Sequence, residues 1–214
     1  MFYKNLMYKQ LFKRWIDFIF AILLLILISP IFFITLIILS VYYRGNPFFS
    51  QRRPGINEQP FRLLKFKSMI EKYDRHRVLL PDAKRVTPLG KFLRKTSLDE
   101  MPQLLNVIKG DMSFIGPRPL LVSYLPFYSK REKLRHNVRP GITGLAQVSG
   151  RNNLKLPERL EMDVQYVDNI SFINDFKIGL KTIKNVLGGK DITIITASKT
   201  LQDYREEEES LNPN

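Results

Sequence analysis

The longest uninterrupted hydrophobic stretch lies near the N-terminus, where residues 18–43 contain no charged side chain. As an α-helix these 26 residues would extend about 39 Å, which exceeds the roughly 30 Å hydrocarbon core of a bilayer. Ser29 and Pro30 lie near its middle, and a proline both removes an amide donor and clashes with the preceding turn. The pattern predicts a membrane-embedded helix that is kinked or broken at Ser29 and Pro30.

Basic residues flank this stretch on both sides, with Lys13 and Arg14 before it and Arg44 and Arg52 after it. The positive-inside rule would place both flanks in the cytoplasm, which a single spanning helix cannot satisfy. A spanning anchor with a proline kink is nevertheless tolerated in bilayers. The residues alone therefore leave both a spanning and a re-entrant helix open.

The rest of the chain predicts mainly helices with minor β-structure, an α+β fold. Residues 45–60 read as a connecting loop, and residues 61–66 as a short strand or turn. Helical spacing recurs over residues 157–167 and 171–188. The second of these helices is basic and amphipathic, so it fits either a helix lying in the lipid headgroup plane or a core helix with a solvated lysine face. The acidic run at residues 206–209 is typical of a solvated, disordered tail.

The composition of the chain limits the kinds of partner and metal site to be expected. The chain has a net charge of +14 and no cysteine. Without thiols it can form neither disulfides nor thiolate metal sites, and its soluble part needs no oxidising compartment. The positive charge fits nucleic acid, an anionic bilayer or a polyanionic small substrate. Because the basic residues lack the interleaved aromatics of a single-strand groove, nucleic acid is not expected as a partner.

Two adjacent carboxylates, Asp99 and Glu100, lie between Arg94 upstream and Arg118 downstream, the latter in a Gly-Pro-Arg-Pro turn. This pattern suggests a site for a negatively charged substrate. The spacing of Ser97 and Glu100 also fits a capping box at a helix N-terminus. Both interpretations can hold together, because the helix dipole would lower the pKa of Asp99 and keep it ionised.

A glycine-rich segment further along contains Arg139 and Arg151, whose guanidinium groups could grip phosphate in two places. Glycines at 141, 144 and 150 permit tight turns and close backbone approach. Such spacing is weak evidence alone, and no Walker or dinucleotide fingerprint accompanies it.

Taken in order, the motifs resemble those of the bacterial sugar transferases, and most closely the short monotopic phosphoglycosyl transferases of the PglC type. The resemblance covers about residues 10–188. It is carried by Lys13-Arg14-x-x-Asp17, Ser29-Pro30, Lys65-Phe66-Lys67-Ser68-Met69, Leu98-Asp99-Glu100-x-Pro102-Gln103, Gly110-Asp111-Met112-Ser113, Gly116-Pro117-Arg118-Pro119 and Arg139-Pro140-Gly141-Ile142-Thr143-Gly144.

The resemblance implies a chemistry for these residues. A phosphosugar would pass from a UDP-sugar to undecaprenyl phosphate, with Asp99 as the nucleophile of a covalent aspartyl intermediate and UMP released. Asp99 and Glu100 would hold Mg²⁺, and Glu100 would serve as a ligand or a proton handler. Arg94, Arg118 and Arg151 match positions that bind phosphate.

The resemblance also implies a location and a domain organisation. The Ser29-Pro30 break would turn the helix back, so the protein would sit in the inner membrane of a bacterium with its catalytic domain facing the cytoplasm. We therefore divide the chain into a re-entrant membrane segment (1–45), a compact cytoplasmic catalytic domain with interfacial amphipathic helices (46–190) and an acidic C-terminal extension (191–214). The alternatives are a membrane-tethered basic binding module and a UDP-sugar hydrolase.

Overall fold

The computed structural model describes Tyr8 and residues 12–150, 154–188 and 199–211. The prediction of a mainly helical chain with small sheets is confirmed for these residues. The helices are α1 (Lys13–Tyr42), α2 (Asp82–Arg85), α3 (Pro88–Thr96), α4 (Gln103–Lys109), α5 (Leu145–Ser149), α6 (Leu156–Asp168), α7 (Phe172–Leu187) and α8 (Leu201–Leu211). The strands are β1 (Phe48–Pro54), β2 (Pro60–Phe66), β3 (Ser113–Ile115) and β4 (Gly141–Thr143). Short 3₁₀ turns cover Ile56–Glu58, Leu98–Glu100, Val122–Phe127 and Glu132–Asn137.

Helix α1 is one continuous α-helix of 30 residues that contains Ser29 and Pro30. Because Pro30 has no amide hydrogen, it leaves the carbonyl of Ile26 without its usual helical donor. The Ser29 hydroxyl supplies a replacement by donating to that carbonyl at 2.8 Å. Two helices separated by a break are therefore not seen, and the re-entrant path stays a prediction.

One face of α1 packs on the rest of the protein from end to end. Near its start, the buried Asp17 carboxylate accepts a hydrogen bond from the Phe114 amide at 3.3 Å. Ala21 and Leu39 are fully buried further along. The opposite face exposes large apolar side chains, and by length and composition the helix could cross a membrane. The exposed residues are Trp15, Ile16, Ile19, Phe20, Leu23, Ile26, Leu27, Ile31, Phe33, Ile34, Ile37, Ile38, Val41 and Tyr42.

Helix α7 also combines a packed face with an exposed apolar one. Its Asp175 carboxylate is buried and accepts from Tyr8 Oη at 2.6 Å, Lys13 Nζ at 2.5 Å and Tyr166 Oη at 2.8 Å, which joins α7 to α6 and to the start of α1. If α7 were a core helix, its apolar side chains would be buried. Five of them are instead between 52% and 60% exposed. They are Phe172, Ile173, Phe176, Leu180 and Ile183.

The strands form two small sheets. Strands β1 and β2 make an antiparallel hairpin, and β3 and β4 pair in parallel. The second pair depends on glycines, since a Cβ on Gly141 would lie 2.2 Å from the Gly116 nitrogen and one on Gly144 would lie 2.2 Å from the Gly116 oxygen. This close backbone approach fixes the Gly-Pro-Arg-Pro turn that follows β3.

The acidic run at residues 206–209, expected as a solvated tail, is part of helix α8. Leu201 at the start of this helix is fully buried in a cluster with Tyr128 and Leu160. The apolar anchor holds a helix whose own sequence is otherwise strongly charged.

Candidate active site

The acidic pair lies on a tight connection between two helices. Helix α3 begins at Pro88 after Thr87, whose hydroxyl oxygen accepts from the Gly90 amide at 2.9 Å. It ends at Ser97, which adopts the left-handed conformation with φ of 58°. The predicted capping box is therefore wrong, because Ser97 closes α3 and makes no side-chain cap, and α4 begins only at Gln103. Asp99 and Glu100 occupy the 3₁₀ turn between the helices.

Close packing brings α3 onto the segment that follows β2. A Cβ on Gly90 would lie 1.8 Å from the Ser68 carbonyl oxygen, so only glycine fits at this contact. One turn further along α3, Arg94 Nε donates to Ser68 Oγ at 2.9 Å. The bond orients the Arg94 side chain through Nε and leaves its terminal nitrogens available to another acceptor.

Glu100 is held by two cations. Its Oε1 accepts from Lys65 Nζ at 2.6 Å and from Arg118 Nη2 at 3.0 Å. Burial opposes ionisation of this carboxyl, but the charges of Lys65 and Arg118 outweigh it and lower its pKa to about 2. Glu100 is therefore ionised throughout the physiological range, and it orients both cations.

Asp99 differs from its neighbour in nearly every respect. Its side chain is buried, yet no residue of the described ranges donates a hydrogen bond to its carboxylate. Burial raises its pKa to about 6, since the Glu100 charge adds to the effect and Lys65, Arg94 and Arg118 only partly offset it. The predicted lowering of this pKa by a helix dipole is thus wrong, because desolvation dominates. A buried carboxylate that no described residue binds by a hydrogen bond is more basic and more nucleophilic, once ionised, than a solvated aspartate.

A buried ion pair holds the backbone of Arg118 in place. Arg135 Nε and Nη2 donate to Asp163 Oδ2 at 3.1 and 2.6 Å. The same Nη2 donates to the Arg118 carbonyl oxygen at 2.6 Å, and Arg135 Nη1 donates to Tyr128 Oη at 3.1 Å. Asp163 therefore acts through Arg135 to hold the turn that carries Arg118.

Asn106 of α4 holds the backbone of strand β2, which carries Lys65, in place. Its Oδ1 accepts from the Leu64 amide at 3.0 Å, and its Nδ2 donates to the Arg62 carbonyl at 2.8 Å. The side chain is buried and mimics a neighbouring β-strand. These two hydrogen bonds fix the position of β2 against α4, so the Lys65 side chain reaches Glu100.

The structure brings together four of the predicted site residues, Asp99, Glu100, Arg94 and Arg118. It does not bring Arg139 to them: Arg139 Nε donates to the Gly110 carbonyl at 2.9 Å, at the opposite end of α4. The predicted phosphate-binding residue Arg151 lies outside the described residues.

Two further residues of this site, Lys65 and Ser68, received no role from the sequence. Both belong to the Lys65–Met69 motif, which contributed to the family resemblance as a pattern only. Their partners Glu100 and Arg94 are 35 and 26 residues away along the chain. The one available clue was the motif itself, with two lysines and a serine at the end of a predicted strand.

The site also fits a magnesium ion. Mg²⁺ prefers oxygen ligands and is often held by one or two carboxylates together with substrate phosphates and water. Asp99 offers a carboxylate with no competing donor among the described residues, and Glu100 keeps Oε2 outside its two ion pairs. Within the described ranges no group of three or more acidic, histidine or cysteine side chains forms a cage. The donor set thus suits an ion that arrives with, and is largely ligated by, a phosphorylated substrate.

The chain is similar in sequence to known proteins. A family profile for bacterial sugar transferases matches residues 8–189. The chain is 46% identical to the uncharacterized sugar transferase EpsL of Bacillus subtilis, over 86% of this chain and 91% of that protein. It is 41% identical to the exopolysaccharide production protein ExoY of Sinorhizobium fredii, over 81% and 84% of the two chains. It is 37% identical to the UDP-glucose:undecaprenyl-phosphate glucose-1-phosphate transferase of Caulobacter vibrioides, over 82% and 69%. The chain therefore belongs to the bacterial sugar transferase family.

Proposed function

We propose that this transferase moves a phosphosugar from a UDP-sugar to undecaprenyl phosphate and releases UMP, as the first membrane step of glycan assembly. The relative from Caulobacter vibrioides carries this type of activity in its name. The observation that carries the proposal is the contrast within the acidic pair. Glu100 is held by Lys65 and Arg118, whereas the buried Asp99 carboxylate has no hydrogen-bond donor among the described residues.

In the first step, a carboxylate oxygen of Asp99 attacks the sugar-linked phosphorus of the donor. The bond between that phosphorus and the bridging oxygen breaks, and UMP leaves with the oxygen and the electron pair. With a pKa of about 6, Asp99 is mostly ionised at neutral pH. Arg94 and Arg118 bind the phosphate oxygens on which negative charge develops.

In the second step, an oxygen of the polyprenyl phosphate attacks the same phosphorus. The acyl phosphate bond to Asp99 breaks, which regenerates the carboxylate and gives undecaprenyl diphosphosugar. Splitting the transfer in this way means that the soluble nucleotide and the lipid need not occupy the site together.

Asp99, with Glu100 through Oε2, would hold Mg²⁺ in this site. When bound, the ion would neutralise the donor diphosphate and so reduce its repulsion of an anionic nucleophile. Glu100 would meanwhile keep Lys65 and Arg118 pointing into the site.

The exposed apolar faces of α1 and α7 would contact lipid. Both ends of α1 touch the same globular part of the protein, since Arg14 donates to the Val107 carbonyl at 2.7 Å and the Tyr43 hydroxyl lies 3.2 Å from Thr87 Oγ1. A helix crossing the bilayer upright would separate its ends by about 30 Å of hydrocarbon. The contacts at both ends argue against an upright crossing, and we propose that α1 enters and leaves on one side, the cytoplasmic side of the inner membrane by its basic flanks.

Cysteine labelling tests this placement, because the chain has no native cysteine. Single cysteines at positions 9 and 44 should react with a membrane-impermeant maleimide only after the bacterial inner membrane is permeabilised. Labelling of either position in intact spheroplasts would contradict a re-entrant helix. Turnover of each variant shows that the labelled protein is native.

A donor screen tests the reaction. The full chain is incubated with Mg²⁺, undecaprenyl phosphate and a panel of UDP-sugars, and both UMP and the lipid product are measured. We expect them in equal amounts for at least one sugar. UMP without any lipid product would indicate a hydrolase, and no UMP with any sugar would contradict the proposal. In the absence of lipid, intact mass spectrometry should show a phosphosugar adduct that Asp99→Asn abolishes.

A further inference from the structure

Arg53 belongs to strand β1, which pairs with the strand that carries Lys65. Residues paired directly across an antiparallel hairpin share a face, and the register pairs Arg53 with Phe61 and Phe49 with Lys65. Because side chains alternate along a strand, Arg53 lies on the same face as Lys65, the partner of Glu100. Its neighbour Arg52 pairs with Arg62 on the opposite, exposed face.

Arg53 is half-buried and poorly satisfied. Its Nη2 donates to Gln51 Oε1 at 2.7 Å, while its Nε is buried without a hydrogen-bond partner. Among the described residues no carboxylate lies within ion-pair distance of this guanidinium. Burial lowers its pKa, and the positive charge of Arg118 lowers it further.

An uncompensated buried charge is costly unless something of opposite sign offsets it. Lys65 and Arg118 share the charge of Glu100, but no described carboxylate does this for Arg53. Arg118 donates to Glu100 through Nη2, and its other side-chain nitrogens donate to no residue of the described ranges. An anion placed between Arg53 and Arg118 would satisfy both groups.

We propose that Arg53 is a phosphate-binding residue of this site, and that with Arg118 it grips one phosphate group of a substrate. Phosphate suits this position because its oxygens accept paired hydrogen bonds from a guanidinium edge. The inference rests on the proposed phosphosugar transfer and adds a residue to it. The phosphate belongs either to the nucleotide donor or to the polyprenyl acceptor, and two measurements separate these sources.

The test compares Arg53→Ala and Arg53→Lys with the matched control Arg52→Ala, which removes the same side chain from the other face of β1. Titration calorimetry of the full chain in detergent measures the affinity for UDP. Steady-state assays measure the KM for undecaprenyl phosphate. Thermal unfolding without ligand shows whether each variant is folded. If Arg53→Ala is unstable, Arg53→Lys still tests the inference, because it keeps the positive charge.

If Arg53 binds the donor phosphate, Arg53→Ala should weaken UDP binding about 10- to 100-fold, with a smaller effect for Arg53→Lys and less than about twofold for Arg52→Ala. If it binds the acceptor phosphate, the KM for undecaprenyl phosphate should rise by that factor while UDP affinity stays constant. Folded Arg53 variants that change neither quantity more than about twofold would overturn the inference. Because wild-type turnover is measured alongside, that result would leave the proposed reaction standing.

Discussion

Arginine side chains lie near both ends of helix α4, but they bind different kinds of partner at the two ends. Before its N-terminal end, Arg118 and Lys65 bind the Glu100 carboxylate, next to the buried Asp99 carboxylate, to which no residue of the described part of the chain donates. At its C-terminal end, Arg14 donates to the Val107 and Ile108 carbonyls at 2.7 Å each, and Arg139 donates to the Gly110 carbonyl. The carbonyls of the last helical turn lack amide partners within the helix, so cations there satisfy the backbone.

The comparison shows that an arginine's partner, and not its motif, indicates its role. A guanidinium facing a carboxylate in a partly open site keeps donors for a substrate, whereas one engaged by backbone carbonyls contributes chiefly to stability. Each difference between the two ends of α4 can be tested by substitution.

The largest effect is expected at the carboxylate of the site. Asp99→Asn removes the nucleophile while keeping its size, so turnover should fall by at least about 1,000-fold. Release of UMP and formation of lipid product measure it. Asp168→Asn is a matched control, because this carboxylate is about half exposed and lies 3.8 Å from Arg131, away from the site. Asp99→Asn activity within tenfold of wild type would contradict the nucleophile assignment.

Substituting Arg118 should reduce turnover less than substituting Asp99. Arg118→Ala leaves Glu100 paired with Lys65 but removes a donor to the developing phosphate charge, so kcat should fall about 100-fold. Stability should change little, because the Arg118 side chain is 45% exposed. The control Arg131→Ala removes an arginine that is 55% exposed and paired with Glu161. Loss of folding in Arg118→Ala, or unchanged kcat, would contradict a role in the reaction.

A pH effect on stability tests the burial of Asp99. Its pKa in the folded protein, about 6, lies above the ordinary 3.8, so the folded state binds this proton more tightly than the unfolded state. The resulting stability is complete below about pH 3.8 and is lost as the pH rises through about 6. Asp99→Asn should therefore unfold at a higher temperature than wild type at pH 7.5, and the difference should shrink towards pH 4.

Thermal unfolding in EDTA measures this effect without any contribution from divalent ions. Asp168→Asn, which alters an exposed carboxylate, should show no such pH-dependent gain. A wild type more stable than Asp99→Asn at neutral pH would show that the carboxylate is well satisfied in the folded state, contrary to its surroundings in the structure.

Local patterns predicted only part of what depends on local residues, because the loop predicted over residues 45–60 is wrong where strand β1 forms over Phe48–Pro54 by pairing with β2. The long apolar helix follows from an uncharged run, and the grouping of Asp99, Glu100 and Arg94 follows from their nearness along the chain. Distant pairings were missed, because Lys65 reaches Glu100 only through the β2 register that Asn106 holds. The capping box failed for a local reason, because Ser97 adopts the left-handed conformation and ends one helix before the next begins.

Arg139 illustrates the same limit. Its glycine-rich surroundings and the charge of its motif predicted a phosphate contact. Its position depends on the parallel pairing of β3 with β4, which carries it to the C-terminal end of α4. No local pattern in the sequence specifies that pairing, since it requires three glycines on two separate segments to approach at backbone distance.

The smallest effect on activity is therefore expected for Arg139→Ala. Loss of the hydrogen bond to the Gly110 carbonyl should reduce the free energy of unfolding by about 2 kcal/mol. The KM for the UDP-sugar should stay within about threefold of wild type, because this guanidinium lies at the opposite end of α4 from Asp99. Chemical denaturation and donor titration measure the two quantities on the same preparation.

Arg14→Ala is the matched comparison, since Arg14 donates to two carbonyls at the same helix end. It should also lose stability with little change in KM. If instead Arg139→Ala keeps its stability and raises the donor KM more than about tenfold, the phosphate role predicted from the sequence would be right. Arg139 would then have to leave Gly110 when substrate binds, and the two ends of α4 would share one function.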